Sequence, residues 1–119
     1  MKCEPNKHHL SPGWALRQLP GDGGVAWRVL FEHGSLEIEV CAPQETDPQQ
    51  PHTRDEVYVI ISGTGWFING PERSRFAPGD LLFAPAGVVH RFEDFSSDFS
   101  TWVMFYGPEG GENKVSEPA

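Results

Sequence analysis

The residues of this chain best suited to chemistry are two histidines and one glutamate in its central part. His52 stands four positions before Glu56, and His90 follows the turn signal Pro85-Ala86-Gly87. In an extended chain, positions 52 and 56 project to the same side. If the strand that carries His90 faces them, two imidazole nitrogens and one carboxylate converge. Such a set suits a divalent transition metal and leaves coordination positions open.

Residue types alone leave a second interpretation open. His52 and Glu56 can be a solvated pair in a loop, and His90 can be a core histidine whose hydrogen bonds are satisfied within the fold. The other histidines are not expected to join the group. His8-His9 lies in a polar, aperiodic stretch, and His33 precedes Gly34 between two strand-like runs. His33 is therefore predicted to be a turn residue and not a ligand.

Short strands separated by turn residues must position these side chains. The 119 residues include 13 glycines and 11 prolines, scattered between short apolar runs. The run 36–40 alternates apolar residues with Glu37 and Glu39, which predicts a strand with one solvated face. About eight such strands are predicted, with no helix. Closure into a barrel or two-sheet jelly roll would remove exposed edges, whereas an immunoglobulin-like sandwich would not explain the placement of His and Glu.

Composition narrows the class of protein and of partner. The length suits one domain, and 17 acidic against 9 basic residues give a net charge of −8. A surface of this sign repels phosphate backbones, so nucleic acid is not expected as a partner. Without a long apolar run or a signal peptide, the protein is expected to be cytoplasmic, with no membrane partner. Cys3 and Cys41 lack metal or disulfide spacing and are expected to be idle thiols.

Three stretches are predicted along the chain: a flexible N-terminal arm (1–13), the barrel domain (14–106) and a disordered C-terminal tail (107–119). Val57, Val59 and Ile61 lie on the opposite side of their strand from Glu56. An exposed apolar row of this kind predicts a homodimer, unless the N-terminal arm covers the row.

The stretch 50–94 resembles the two motifs of the cupin superfamily. His52, Glu56 and Gly63 stand where the first family motif has its second histidine, its glutamate and its last glycine. The second motif matches at Gly79, Pro85, Gly87 and His90. The spacing between the motifs is that of compact single-domain cupins of the "cupin 2" conserved-barrel type. The resemblance implies an all-β, single-domain jelly-roll β-barrel with a metal on His52, Glu56 and His90.

The chain departs from the family pattern at three positions. Gln50 replaces the first histidine, Gln44 the leading glycine and Asp94 the closing asparagine. Gln50 is expected to be a weak fourth ligand through its amide oxygen, or to orient metal-bound water, unless the loop turns it away. Asp94 is assigned no role.

The resemblance also implies a cofactor and a class of function. One divalent transition metal per chain is expected, with Fe(II) favoured and Mn(II), Zn(II) or Ni(II) as alternatives. The leading prediction is a dioxygenase-like, Fe(II)-type enzyme that acts on a small organic molecule. Because cupins serve many functions, a non-redox sugar isomerase or epimerase-like cupin and a non-catalytic ligand-binding cupin stay open. No single residue is predicted as catalytic; strand parity predicts a pocket lined by Tyr58, Phe92, Trp102 and Arg54.

Overall fold

Eight strands form the core of the fold. The computed structural model describes residues 8–47 and 51–112. The strands within these residues are β1 (Trp27–His33), β2 (Leu36–Cys41), β3 (Asp55–Ser62), β4 (Gly65–Asn69), β5 (Glu72–Phe76), β6 (Leu81–Ala84), β7 (His90–Glu93) and β8 (Ser100–Tyr106).

The strands pair in two antiparallel sheets. The larger sheet has the order β1-β2-β8-β3-β6, and the smaller one has the order β5-β4-β7. The chain passes from the larger sheet to the smaller one after β3 and returns by β6 and β8, so the sheets close over one core. The predicted all-β jelly-roll barrel is confirmed, since the described residues form eight strands in two antiparallel sheets.

A short helix, α1 (Pro12–Leu16), precedes the strands and was not expected. The Ser11 side chain accepts a hydrogen bond from the Trp14 backbone N–H at 3.2 Å, and Pro12 occupies the first turn. Serine followed by proline is a helix-start signal that the sequence contained. The helix begins inside the stretch predicted as an arm, and the division of the chain into arm, barrel and tail stays a prediction.

Within the described residues, no helix is long and apolar enough to span a membrane. The expectation of a cytoplasmic location stays a prediction.

Aromatic side chains fill the space between the two sheets. Phe92 on β7 is 2% exposed, and its ring centroid lies 4.9 Å from Tyr58 and 4.7 Å from Phe99. Phe76 and Phe67 complete the cluster. Such edge and tilted contacts add to the stabilisation from burial alone. The strand that begins at His90 is thereby held firmly against the strand that carries Glu56.

Gly63 is required where the chain leaves β3. Its φ is +87°, and a β-carbon there would lie 2.5 Å from the Phe99 Cα. Any other residue would strain the backbone and force this close approach apart. The glycine that ends the first motif is therefore explained by the close approach of the segment that precedes β8.

Candidate metal centre

Three side chains that can bind a metal converge at one end of the barrel. His52 lies just before β3, Glu56 is on β3, and His90 begins β7. One ligand atom from each lies within 4.8 Å of the others, and no second such cluster occurs in residues 8–47 and 51–112. The distance from Glu56 Oε1 is 2.8 Å to His90 Nε2 and 3.7 Å to His52 Nε2. The strands that carry Glu56 and His90 therefore face each other, as convergence of the three side chains requires.

Two of these ligand atoms are buried without a hydrogen-bond partner. Glu56 is 1% exposed and His90 is 2% exposed. Glu56 Oε1 and His90 Nε2 approach each other at 2.8 Å but are not aligned as donor and acceptor, and neither has another partner among the described residues. Leaving such atoms unsatisfied costs about 1–3 kcal/mol each, and more when one is charged. A cation between them would remove that cost, so the donor set fits a divalent metal.

The ring of His90 is held in the orientation and tautomer that a ligand needs. Its Nδ1 lies 2.9 Å from the Val88 carbonyl oxygen. A carbonyl only accepts, so Nδ1 carries the hydrogen and Nε2 of the neutral ring presents a lone pair to Glu56. Burial by itself lowers the pKa of His90, but the adjacent Glu56 carboxylate and the Val88 carbonyl outweigh it and raise the pKa above its ordinary value.

Backbone hydrogen bonds join the segments that carry the ligands. The Gly87 N–H donates to the His52 carbonyl at 2.7 Å. Gly87 has φ +79°, a conformation that glycine adopts without strain. Asp55 is 6% exposed and accepts from the Ala86 N–H at 3.0 Å and from the Glu112 N–H at 2.9 Å. The turn before His90 is thus fixed to the start of β3.

The start of the predicted tail takes part in this arrangement. The Gly110 N–H donates to the Thr53 carbonyl at 2.6 Å, and Glu112 is bonded to Asp55. Residues 110–112 therefore lie along the segment between His52 and Glu56.

A cleft of about 880 Å³ opens beside the candidate ligands and reaches both His52 and Glu56. Its floor is formed by inward-facing residues of β3 and β8: Tyr58, Val103 and Phe105. Its sides come mainly from β1, β2 and the loop after β2: Trp27, Glu37, Glu39, Cys41, Gln44 and Asp47. A space of this size holds a small organic molecule.

The predicted pocket residues divide into three groups. Tyr58 and Arg54 line the cleft. Phe92 is in the core beneath it, packed against Tyr58. Trp102 is not in the pocket: it pairs in register with Val59, while its neighbour Val103 pairs with Tyr58 and faces the cleft. The parity assigned to Trp102 was wrong because the register with β3, which the sequence does not fix, decides which β8 residues face inward.

Arg54 is anchored at the side of the cleft. Its guanidinium donates to the Ser35 carbonyl at 2.6 Å and to Glu37 Oε1 at 3.4 Å. It also lies 5.7 Å from the centre of the Phe105 ring. Arg54 therefore forms an ion pair with Glu37 at the side of the cleft.

Glu37 and Glu39 were missed as functional candidates. Their alternation with apolar residues predicted a solvated face, and that face is turned into the cleft. Burial, together with a hydrogen bond and repulsion from Glu37 and repulsion from Glu56, raises the pKa of Glu39 to about 9. Cys41 lies on the same side, and burial together with nearby carboxylates raises its thiol pKa to about 12. The thiol therefore stays protonated at neutral pH.

Gln50 lies outside the described residues. Whether its amide faces the metal stays a prediction. His33 ends β1 and pairs with Leu36 across the turn, away from the three ligands.

Residues 37–105 match the sequence model of the Cupin domain family. Since the match covers more than half of the chain, the chain belongs to the cupin family. An uncharacterized protein of Streptomyces coelicolor is 42% identical over 88 residues, which are 74% of this chain and 84% of that protein.

Two enzymes share a shorter segment with the chain. The dimethylsulfoniopropionate lyase DddQ of Ruegeria pomeroyi is 31% identical over 61 residues, which are 50% of this chain and 30% of the lyase. The acireductone dioxygenase of Leishmania infantum is 37% identical over 78 residues, which are 60% of this chain and 22% of that enzyme. The matched segment spans less than a third of either enzyme.

Solved structures agree on the fold. A cupin 2 conserved barrel domain protein from Rhodopseudomonas palustris superposes with a TM-score of 0.58 at 21% identity, over 70% of this chain and 61% of that one. KdgF from Halomonas sp. superposes with a TM-score of 0.61 at 17% identity, over 70% and 80% of the two chains. These likenesses concern the fold alone.

Proposed function

We propose that this chain is a metal-dependent enzyme that acts on a small organic molecule, with one Fe(II) per chain held by His52, Glu56 and His90. The observation that carries the proposal is the pair of buried, unpartnered ligand atoms on Glu56 and His90 beside a cleft of about 880 Å³. Family relatives named as a dioxygenase and a lyase support an enzyme with a small substrate. They match too short a segment to supply the substrate.

The position of each residue in the site supports a particular role. His90 and Glu56 hold the buried side of the metal, and His52, with a side chain 37% exposed, holds the side next to the cleft. Glu56 acts as a ligand and not as a base, because its Oε1 faces the two imidazoles. Fe(II) in a set of two histidines and one carboxylate keeps open positions and supplies redox chemistry with O₂. Tyr58 and Phe105 provide an apolar floor that keeps bulk water from the reacting molecule.

Gln50 is proposed as the weak fourth ligand. A neutral amide oxygen binds a metal less strongly than an imidazole does, so substrate could displace it. Mn(II), Zn(II) and Ni(II) remain the alternative metals for such a site.

A second candidate is a non-redox enzyme of the isomerase or epimerase type. The carboxyl pair Glu37–Glu39 favours it, because a glutamate with a pKa near 9 beside the cleft can hold and return a proton. The metal would then only polarise a carbonyl group of the substrate. No specific observation favours a non-catalytic binding protein.

Nitric oxide, a stable substitute for O₂, separates the two candidates. The protein is loaded anaerobically with one Fe(II) per chain and titrated with nitric oxide under EPR. The dioxygenase-like proposal expects an Fe(II)–nitrosyl signal in the wild type and its loss in His90→Ala, with His33→Ala unchanged. A fully loaded protein that gives no nitrosyl signal would contradict the dioxygenase-like proposal and favour the non-redox candidate.

We also propose that the chain forms a homodimer through the outer face of the larger sheet. Val57 pairs in register with Phe83 on β6 and with Met104 on β8, and Val59 pairs with Leu81 and Trp102. These residues form one apolar patch, in which Leu81 is 66% exposed and Phe83 is 41% exposed. A second copy related by a two-fold axis would present the same patch and cover this one. Helix α1 packs against β2, which is separated from β6 by β8 and β3 in the sheet.

A further inference from the structure

The inner face of β2 presents two carboxyl groups to the cleft. Glu37 and Glu39 both line it. In the register of the sheet, Glu37 is opposite Phe105 on β8, and Phe105 is opposite Glu56 on β3. Neighbouring strands are about 4.8 Å apart, so β2 lies roughly 10 Å from the strand of the metal ligand. A molecule that spans this distance must lie across Phe105.

The charges around the cleft do not balance. Among its lining residues, Arg54 is the basic one, and the acidic ones are Glu37, Glu39, Asp47, Glu56 and Glu109. Arg54 pairs with Glu37 at 3.4 Å, and a divalent metal would balance Glu56. Glu39 forms no ion pair with a basic side chain of the described residues. A half-buried carboxylate in this position takes up either a proton or a cation from outside.

The protonation of Glu39 agrees with this imbalance. Burial, the hydrogen bond to Glu37 and repulsion from Glu37 and Glu56 raise its pKa to about 9, and Arg54 offsets only part of that. The titratable and charged groups around it come from β2, β3 and the loop after β2: Glu37, Cys41, Arg54, Glu56 and Asp47. Its register partners on β1 and β8 are Val29 and Val103, which carry no charge. At neutral pH, Glu39 therefore holds a proton, which neutralises a charge that a bound cation could balance instead.

Aromatic rings border the same part of the cleft. Trp27 on β1 lines it and is 48% exposed. It pairs in register with Cys41, one inward position along β2 from Glu39. The face of an indole attracts ammonium groups, most strongly where carboxylates are near. Glu56 also lines the cleft. Its side chain is 1% exposed, and its Oε1 has no hydrogen-bond partner among the described residues, so the cleft contains a buried polar atom that a bound group can satisfy.

We propose that the ligand of this cleft carries an alkylammonium-type cation, held between the Glu37–Glu39 pair and Trp27, while the rest of the molecule crosses Phe105 toward the metal ligands. The inference rests on the proposed function only for the end of the ligand that meets the metal. The cation replaces the proton of Glu39, so binding releases a proton and becomes tighter as the pH rises.

Two matched pairs of probes test the charge requirement. Choline is compared with 3,3-dimethylbutan-1-ol, and n-butylammonium with 1-butanol, because within each pair the shapes are similar and one member is charged. Binding to the full chain loaded with Zn(II) is measured by calorimetry in two buffers of different ionisation enthalpy. We expect at least one cation to bind about tenfold more tightly than its neutral partner, a difference of about 1.4 kcal/mol. That binding should release protons and be tighter at pH 8 than at pH 6.

Variants assign the effect to the proposed residues. Glu39→Gln keeps the neutral state that the side chain already has, so it should fold, and it should abolish both the preference for the cation and the proton release. Glu72→Gln removes the same charge from an exposed position on β5, outside the cleft, and should change neither. Trp27→Leu, at a half-exposed position, should lower the affinity for the cation several-fold and leave the affinity for its neutral partner unchanged.

The outcomes separate this inference from the proposed function. Equal binding of cations and neutral partners by the Zn(II)-loaded wild type would overturn the inference and leave the metal site intact. A preference that persists undiminished in Glu39→Gln would overturn it as well. If the protein takes up no Fe(II), Mn(II) or Zn(II), the proposed function fails, and a Glu39-dependent preference for cations in the metal-free chain would still support the inference.

Discussion

Glu56 and His90 occupy positions where an apolar pair would be more stable. Both are buried in a core that contains many aromatic rings, and His90 lies beside the rings of Tyr58 and Phe67. Replacing a buried polar pair by apolar side chains of similar size is often neutral or stabilising. Keeping a carboxylate and an imidazole there, with their ligand atoms unpartnered, therefore has a cost in stability that metal binding would offset.

Glu39 gives a prediction at the scale of one residue. Its pKa is raised from 4.5 to about 9 in the folded chain. Between these values the folded state holds a proton that the unfolded chain has released, so raising the pH favours unfolding. Glu39→Gln removes this dependence. Its stability advantage over the wild type should grow from pH 5 to pH 8 by roughly 2 kcal/mol, half of what the full shift implies, because water in the cleft screens the charges.

Urea unfolding of the metal-free proteins at the two pH values measures this difference. Glu72→Gln is the control, since its exposed side chain lies outside the cleft. A wild type that becomes more stable relative to Glu39→Gln as the pH rises would contradict the raised pKa of Glu39.

The sequence predicted the three side chains of the candidate metal centre but not the acidic side of the cleft. His52, Glu56 and His90 follow a family spacing, and the hydrogen bond from Gly87 to His52 joins two of the segments that carry them. For Glu37 and Glu39, alternation tells which residues share a side. It does not tell whether that side meets bulk water or an internal cleft, because this depends on the segments that border the side, residues 24–26 and the loop after β2.

At the scale of elements, the site depends on how the turn before β7 is fixed to the start of β3. Asp55 makes this connection through two backbone N–H groups, those of Ala86 and Glu112. Neither the donors nor their direction can be read from the sequence around Asp55, since they come from residues more than thirty positions away. Strand positions were predictable from turn residues, whereas these long-range bonds were not.

Asp55→Asn tests the connection. An amide can accept one of the two N–H groups, but its NH₂ opposes the other, so a buried donor loses its partner. We expect a loss of about 1–3 kcal/mol in the free energy of unfolding. Because the turn also positions His90, we expect Zn(II) affinity to fall about tenfold. Urea unfolding and competition with a chromophoric chelator measure the two effects.

Asp80→Asn is the matched control for that variant. Asp80 also accepts a backbone N–H, that of Ala77 at 2.8 Å, but in an exposed turn outside the site. Asp80→Asn should lower the free energy of unfolding by less than about 1 kcal/mol and leave Zn(II) affinity unchanged. Equal loss of Zn(II) affinity in both variants would show that Asp55 has no particular part in positioning His90.

At the scale of the whole molecule, the exposed patch around Leu81 and Phe83 predicts self-association. Analytical ultracentrifugation at micromolar concentration should give twice the chain mass of 13.3 kDa. Leu81→Lys together with Phe83→Lys places two charges in the patch and should give a monomer. Val89→Lys is the control, because Val89 is 55% exposed but lies outside the patch. A wild type that stays monomeric would contradict the dimer. The alternative is then that the N-terminal arm covers the apolar patch.

The central claim is that His52, Glu56 and His90 bind one divalent metal per chain. Elemental analysis of protein purified without an affinity tag, and again after anaerobic reconstitution with Fe(II), tests it most directly. We expect one transition-metal ion per chain in the wild type and in His33→Ala, and loss of that ion in His52→Ala and His90→Ala. A folded wild type that is metal-free and takes up no Fe(II), Mn(II) or Zn(II) would contradict the account.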